Sequence, residues 1–109
     1  MTDKINEKIL VELRAELNAQ TARYPWTELQ RYFATGSVIF VASELDMVDA
    51  AARVAADDKA FVQQSMQAGQ LGKVTDEQAA LWLADDVMLW TVVVKPWILV
   101  QHKKNPSLH

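Results

Sequence analysis

Hydrophobic residues recur at helical spacing near the start of the chain. They lie three or four positions apart, at Ile5, Ile9, Leu10, Leu13 and Leu17. This spacing predicts an amphipathic helix over residues 3–22. Pro25 ends it, because the residue before a proline is pushed out of the helical region. A second, short helix is predicted from Trp26 to Phe33, with Gly36 as the break after it.

Two apolar runs lack the alternation of a half-exposed strand. They cover residues 37–42 and 87–101, and Lys95-Pro96 interrupts the second. Continuous apolar runs indicate strands that are covered on both faces. Two-residue hairpin turns favour positive φ, whereas proline holds φ near about −65°. We therefore expect one extended stretch that is kinked at Lys95-Pro96, not a hairpin.

Three more helices are predicted between the two apolar runs. Their start signals are polar capping residues: Ser43 with Asp46, the pair Asp57-Asp58, and Thr75 with Gln78. The predicted helices cover residues 45–56, 59–68 and 75–84, and residues 70–74 form a loop that follows Gly69.

These elements predict an α+β fold. Several helices pack on a small sheet formed by strands near residues 37–42 and 87–101, because a sheet covered on both faces needs helices to cover it. A chain of 109 residues is long enough for one domain and too short for two. We assign residues 1–101 to the domain and residues 102–109 to a polar tail.

Composition narrows the class of protein. Half of the residues are apolar, cysteine is absent, and the polar N-terminus does not resemble a signal peptide, which favours a cytoplasmic protein. No apolar run reaches the roughly 18 residues that a membrane helix needs. The net charge of −3, without a basic stripe, argues against nucleic-acid binding.

Several kinds of catalytic site are excluded by the residues present. The two histidines, His102 and His109, lie at or beyond the last strand, which argues against a Ser-His-Asp site and a zinc site in the body of the chain. The three glycines are scattered, so the chain has no phosphate-binding glycine loop. We expect no cofactor.

Carboxylates are the chemistry that remains. Asp46, Asp49, Asp57 and Asp58 could bind Mg²⁺ or Mn²⁺, which prefer oxygen ligands, and could support a cation-dependent enzyme or a metabolite-binding protein. The alternative is structural: Asp46 completes the capping box with Ser43, Asp49 pairs with Arg53, and the Asp57-Asp58 and Asp85-Asp86 pairs cap helices or form turns.

Aromatic residues are numerous for a small core. Core packing explains most of them, but some could form a recognition surface, where tyrosine, tryptophan and arginine are enriched. The candidates for this surface are Tyr24, Trp26, Arg31, Tyr32 and Trp97. An exposed edge from Trp97 to Gln101 could also accept a partner strand, so the C-terminal strand is a candidate interface for a homo-oligomer.

A colinear series of residues resembles a known family. The series contains Ser43-Glu-Leu-Asp46, Val48, Ala52, Ala55-Ala-Asp-Asp58, Val62, Gly69, Leu71, Lys73, Thr75, Gln78, Trp82 and Pro96-Trp-Ile-Leu-Val-Gln101. Over residues 8–101 the chain resembles small bacterial proteins catalogued as a domain of unknown function. It departs from that pattern at residues 72–75, where lysine, proline and threonine are expected in succession, and at residues 65–66, near which a tryptophan is expected. The resemblance implies a bacterial, intracellular protein and brings no activity or site residue.

The leading hypothesis is therefore a small cytosolic interaction module without catalytic activity. It would associate with itself or with another protein. The rival hypothesis is the carboxylate-based, divalent-cation-dependent protein described above.

Overall fold

The computed structural model describes residues 7–102, which form five helices around one five-stranded mixed sheet. The helices are α1 (Glu7–Gln20), α2 (Trp26–Ala34), α3 (Met47–Ala55), α4 (Lys59–Gln67) and α5 (Asp76–Ala84). The strands are β1 (Ala22–Pro25), β2 (Val38–Val41), β3 (Leu71–Lys73), β4 (Met88–Val94) and β5 (Trp97–Gln101). This arrangement confirms the predicted α+β class.

The sheet order is β1-β4-β5-β2-β3, and the one parallel pairing is that of β2 with β5. Strand β5 thus lies between β4 and β2 and is hydrogen-bonded on both sides. The prediction of a free edge from Trp97 to Gln101 is wrong, because both edges of this strand are already paired. The outer strands of the sheet are the short β1 and β3.

Two hydrophobic cores lie on opposite faces of the sheet. Adjacent strand residues point to opposite faces, and Leu99 belongs to one core whereas Val100 belongs to the other. We call the face packed against α1, α3 and α4 the first face, and the face packed against α2 and α5 the second face. The predicted cover on both faces is found for β2 and β5, but it is wrong for β4, where Met88 and Trp90 are exposed on the first face and Val93 on the second.

Alanines allow α3 to pack closely on the first face. Ala50, Ala51 and Ala52 are all buried, and α3 contacts α1, α4 and β4. Residues without a long side chain let helix and sheet backbones approach one another. The alanine-rich stretch of the sequence therefore marks the most crowded helix of the fold.

Several start signals predicted from the sequence are present in the structure. Thr75 and Gln78 form both halves of the capping box of α5, and Asp58 caps α4 by accepting the backbone N–H of Phe61 at 3.1 Å. The prediction that Ser43 and Asp46 form a capping box is wrong. Helix α3 begins two residues later than predicted, and its cap is Asp46, which accepts the N–H of Asp49 at 3.0 Å.

The C-terminal run is a hairpin and not one kinked strand. Strands β4 and β5 pair antiparallel, with Val94 opposite Trp97, so Lys95 and Pro96 form the turn between them. The Lys95–Pro96 peptide bond is cis, and cis proline is accommodated at the third position of a tight turn without positive φ. The prediction of a kinked strand is wrong because it considers only two-residue turns with positive φ.

Two short strands were also missed. Residues 22–25 form β1 and residues 71–73 form β3, whereas the sequence analysis predicted a helix end and a loop there. Of the predicted helix over residues 3–22, residues 3–6 lie outside the described residues, as does the predicted tail apart from His102.

Candidate interaction surface on the second face

Three of the predicted interaction residues lie together at the junction of β1 and α2. Tyr24 is 43% exposed at the end of β1, and Tyr32 lies on α2. Arg31 donates a hydrogen bond from Nη2 to the Tyr32 hydroxyl at 3.0 Å. Its guanidinium carbon lies 4.9 Å from the centre of the Tyr32 ring, a distance at which cation–π attraction acts.

A groove of about 370 Å³ continues from the two tyrosines onto the sheet. Its floor includes Thr91 and Val93 of β4 and Ile98 of β5. Val93 is 50% exposed, although it points to the same face as the fully buried Leu89. We define the tyrosine surface as Tyr24, Leu29, Tyr32, Thr91, Val93 and Ile98, with Glu28 and Arg31 at its rim.

Trp26 and Trp97, the other two candidates, lie elsewhere. The Trp26 side chain is fully buried and packs against Phe33 and Trp82, with ring centres 5.6 and 5.2 Å apart. It anchors α2 from beneath and presents no ring to solvent. Trp97 packs with the core of the first face, so it is separated from the tyrosine surface by the sheet.

Three of the four candidate carboxylates accept hydrogen bonds from backbone N–H groups or from arginines. Asp46 and Asp58 are the helix caps of α3 and α4, and Asp57 occupies the turn before α4 with φ of 60°. Asp49 accepts from Arg14 Nη1 at 2.8 Å and from Arg53 Nε at 3.1 Å. The Asp49–Arg53 pair and the Asp58 cap are the contacts that the structural alternative predicted, whereas Asp46 caps α3 itself and does not complete a box with Ser43.

Arg53 joins two of these carboxylates. In addition to Asp49, it donates from Nη1 to Asp58 at 3.0 Å. The hydrogen bonds to Asp49 and then to Asp58 raise the pKa of Arg53 above its ordinary value. A pKa raised by folding stabilises the protein at all pH values below the ordinary arginine pKa, and this contribution is lost only above it. Acid-to-neutral pH changes therefore leave the Arg53 charge intact.

Among residues 7–102, no three or more His, Cys, Asp or Glu side chains come close enough to hold a metal ion. The divalent-cation hypothesis stays a prediction without a defined site. Also within this part of the chain, no helix is long and apolar enough to cross a membrane.

The sequence analysis missed Glu28, Val93 and Ile98. The last two belong to the apolar run that was interpreted as covered on both faces, and a run without alternation does not show which of its residues a helix leaves exposed. Glu28 has no sequence signal of its own. Its place in the candidate surface is known only from the structure, where it lies on the same rim as Arg31.

Comparisons with known proteins give a family and a fold. A family model described as "Protein of unknown function (DUF2288)" matches residues 12–102. The NMR solution structure of PA1075 from Pseudomonas aeruginosa is similar, with a TM-score of 0.76 and 36% sequence identity over 98% of this chain and 94% of that one. No protein of curated function matches the sequence.

Proposed function

This chain belongs to the family described as Protein of unknown function (DUF2288), and from that premise we propose that it is a small interaction module that binds a second copy of itself through the tyrosine surface. The proposal places it in the cytoplasm and assigns it no catalytic step. The observation that carries the proposal is the half-exposed Val93 on the second face of the sheet, in a groove that Tyr24 and Tyr32 also line.

The tyrosine surface has the composition of an interface core. Tyrosine offers a large contact area with few rotatable bonds, and aromatic residues and arginine are enriched where proteins meet. Val93 and Ile98 supply adjacent apolar area on the sheet. Burying such area against a partner is favourable by about 25 cal/mol per Å².

The rim charges favour a second copy as the partner. A two-fold interface places the same patch on both sides, so the patch must be complementary to itself. Glu28 and Arg31 lie on the same rim with opposite charges, and within residues 7–102 neither forms an ion pair. A two-fold axis through the tyrosine surface would let Glu28 of each copy face Arg31 of the other.

Light scattering after gel filtration tests self-association. We expect the protein to be a dimer at tens of micromolar and Val93→Glu to be a monomer, because the substitution buries an unpaired charge in the interface. The matched control is Val11→Glu on α1, where valine is 55% exposed on the opposite side of the sheet. It should remain a dimer. A monomeric parent protein, or equal effects of the two substitutions, would contradict the proposal.

A charge exchange tests the geometry. Glu28→Arg and Arg31→Glu should each weaken the dimer, because each brings like charges together across the two-fold axis. The double variant exchanges both charges and should restore the dimer. If the double variant is weaker than either single variant, Glu28 and Arg31 do not face each other.

A further inference from the structure

A second cavity lies on the first face of the sheet, between α4 and strands β2, β3 and β5. Its volume is about 190 Å³. Its walls are almost entirely apolar and are formed by Ile39, Val54, Val62, Met66, Trp97 and Leu99, among others. Apolar cavities of about 150 Å³ remain dry and can take up benzene, so this one has room for a single ring or a short hydrocarbon chain.

Lys73 is the charged residue of this cavity. Its ammonium nitrogen lies 5.9 Å from the centre of the Trp97 ring, at the margin of the apolar walls. Within the described residues, Lys73 forms no ion pair with a carboxylate. Lys73 is exposed, so its ammonium can receive an anion from solvent while the apolar part of the same molecule lies in the cavity.

We propose that this cavity binds a small apolar monocarboxylate, with the hydrocarbon part against Val62, Trp97 and Leu99 and the carboxylate on Lys73. The apolar walls of the cavity would bury the hydrocarbon part, and Lys73 would fix the orientation of the ligand, as a few polar groups usually do in small-molecule sites. The exposed side chain of Met66 lies on α4 at the same cavity, and its flexibility suits ligands of different shape. This site lies across the sheet from the tyrosine surface, so it does not depend on self-association.

The test is a titration of the full chain with sodium hexanoate, followed by two-dimensional NMR of the backbone amides and the Trp97 indole. We expect saturable shifts at Val62, Gly72 and Trp97. Hexanol should bind more weakly and hexylammonium weakest of all, because only the carboxylate pairs with Lys73. Shifts that do not saturate, or hexylammonium binding as tightly as hexanoate, would overturn the proposal.

Substitution of the lysine separates charge from shape. Lys73→Met should weaken hexanoate binding about tenfold, as expected for loss of one charge-assisted hydrogen bond, and should leave hexanol binding unchanged. Lys59→Met, at the exposed start of α4 and not among the residues that line the cavity, is the matched control and should not change either affinity. Equal effects of the two lysine substitutions would exclude Lys73 as the carboxylate partner.

Discussion

The two faces of the sheet differ in how far helices cover them. Three helices pack on the first face, and two short helices pack on the second. At 9 residues each, α2 and α5 are about 13 Å long. The 7 residues of β4 extend for about 23 Å. Neither helix can follow β4 from end to end, and Val93 remains exposed on the face where Leu89 is buried.

The two faces also leave different parts of β4 exposed. On the first face, the 14 residues of α1 and the alanines of α3 cover the end of β4, where Val92 and Val94 are buried, whereas Met88 and Trp90 at its start are 41% and 40% exposed. On the second face, the exposed residue of β4 is Val93, which lies in the tyrosine surface. Substitutions at buried and at exposed positions of the sheet should therefore change different quantities, namely the stability of the fold for a buried residue and the association of copies for a residue of the tyrosine surface.

The largest expected contrast lies within β4. Leu89→Ala should lower the free energy of unfolding by about 2–5 kcal/mol, since it leaves a cavity in the second core. Val93→Ala points to the same face and should cost less than about 1 kcal/mol, because the valine is half exposed. Urea unfolding at a concentration where copies are separate measures both. Similar losses at the two positions would mean that Val93 is as well covered as Leu89.

Gln101 offers the next contrast, on the first face. Its buried side chain donates from Nε2 to the carbonyl oxygens of Ala42 and Leu45, both at 2.8 Å, and so joins the end of β5 to the loop before α3. Gln101→Leu should cost about 1–3 kcal/mol, since two carbonyl groups lose their donor. Gln67→Leu on the exposed end of α4 is the control and should stay within about 0.5 kcal/mol. Unfolding curves of the two variants give the comparison.

A smaller effect distinguishes the two predicted capping boxes. Thr75→Ala should destabilise the protein by about 1 kcal/mol, because Thr75 accepts the N–H of Gln78 at 3.1 Å. That loss corresponds to a melting temperature lower by about 4–8 °C for a domain of this size. Ser43→Ala should leave the melting temperature unchanged, since Asp46 and not Ser43 caps α3. A lower melting temperature for Ser43→Ala would contradict the structure and would indicate that Ser43 caps α3.

The smallest effect is expected at the ion pairs of α3. Arg53→Met should cost less than about 1 kcal/mol, because the pairs with Asp49 and Asp58 are partly exposed and solvent weakens them. The cost should shrink further at high salt. Thermal unfolding at low and high ionic strength measures it, and a loss of several kcal/mol that is insensitive to salt would show that the network is more buried than the structure indicates.

Local patterns predicted the elements whose signals are carried by their own residues. Examples are the apolar stripe of α1, the apolar run of β2 and the capping box of Thr75 and Gln78. Each can be identified without knowing which other segment of the chain it contacts. Strands β1 and β3 were missed because they are short, with sequences Ala-Arg-Tyr-Pro and Leu-Gly-Lys. They are strands because they pair with β4 and β2, and such long-range pairing leaves little trace in a short segment.

The candidate site was predictable to the same extent. Tyr24, Arg31 and Tyr32 could be selected because aromatic and arginine residues cluster between two predicted helices. Val93 and Ile98 could not, since their exposure depends on the lengths of helices elsewhere in the chain. Trp26 was wrongly assigned to the surface. Its sequence position next to a proline fits an exposed or a buried side chain, and its burial depends on the position of α5, whose Trp82 packs against it.

The most direct test of the account is to follow the backbone amide signals of the protein by NMR as it is diluted. If the second face binds another copy, signals of residues 24–32, 91–93 and 98 should shift together and follow one dissociation constant. The amides of α1 and α3 on the first face should not move. Signals that are independent of concentration, or shifts confined to the first face, would contradict the claim that the tyrosine surface on the second face is the part of the molecule that binds.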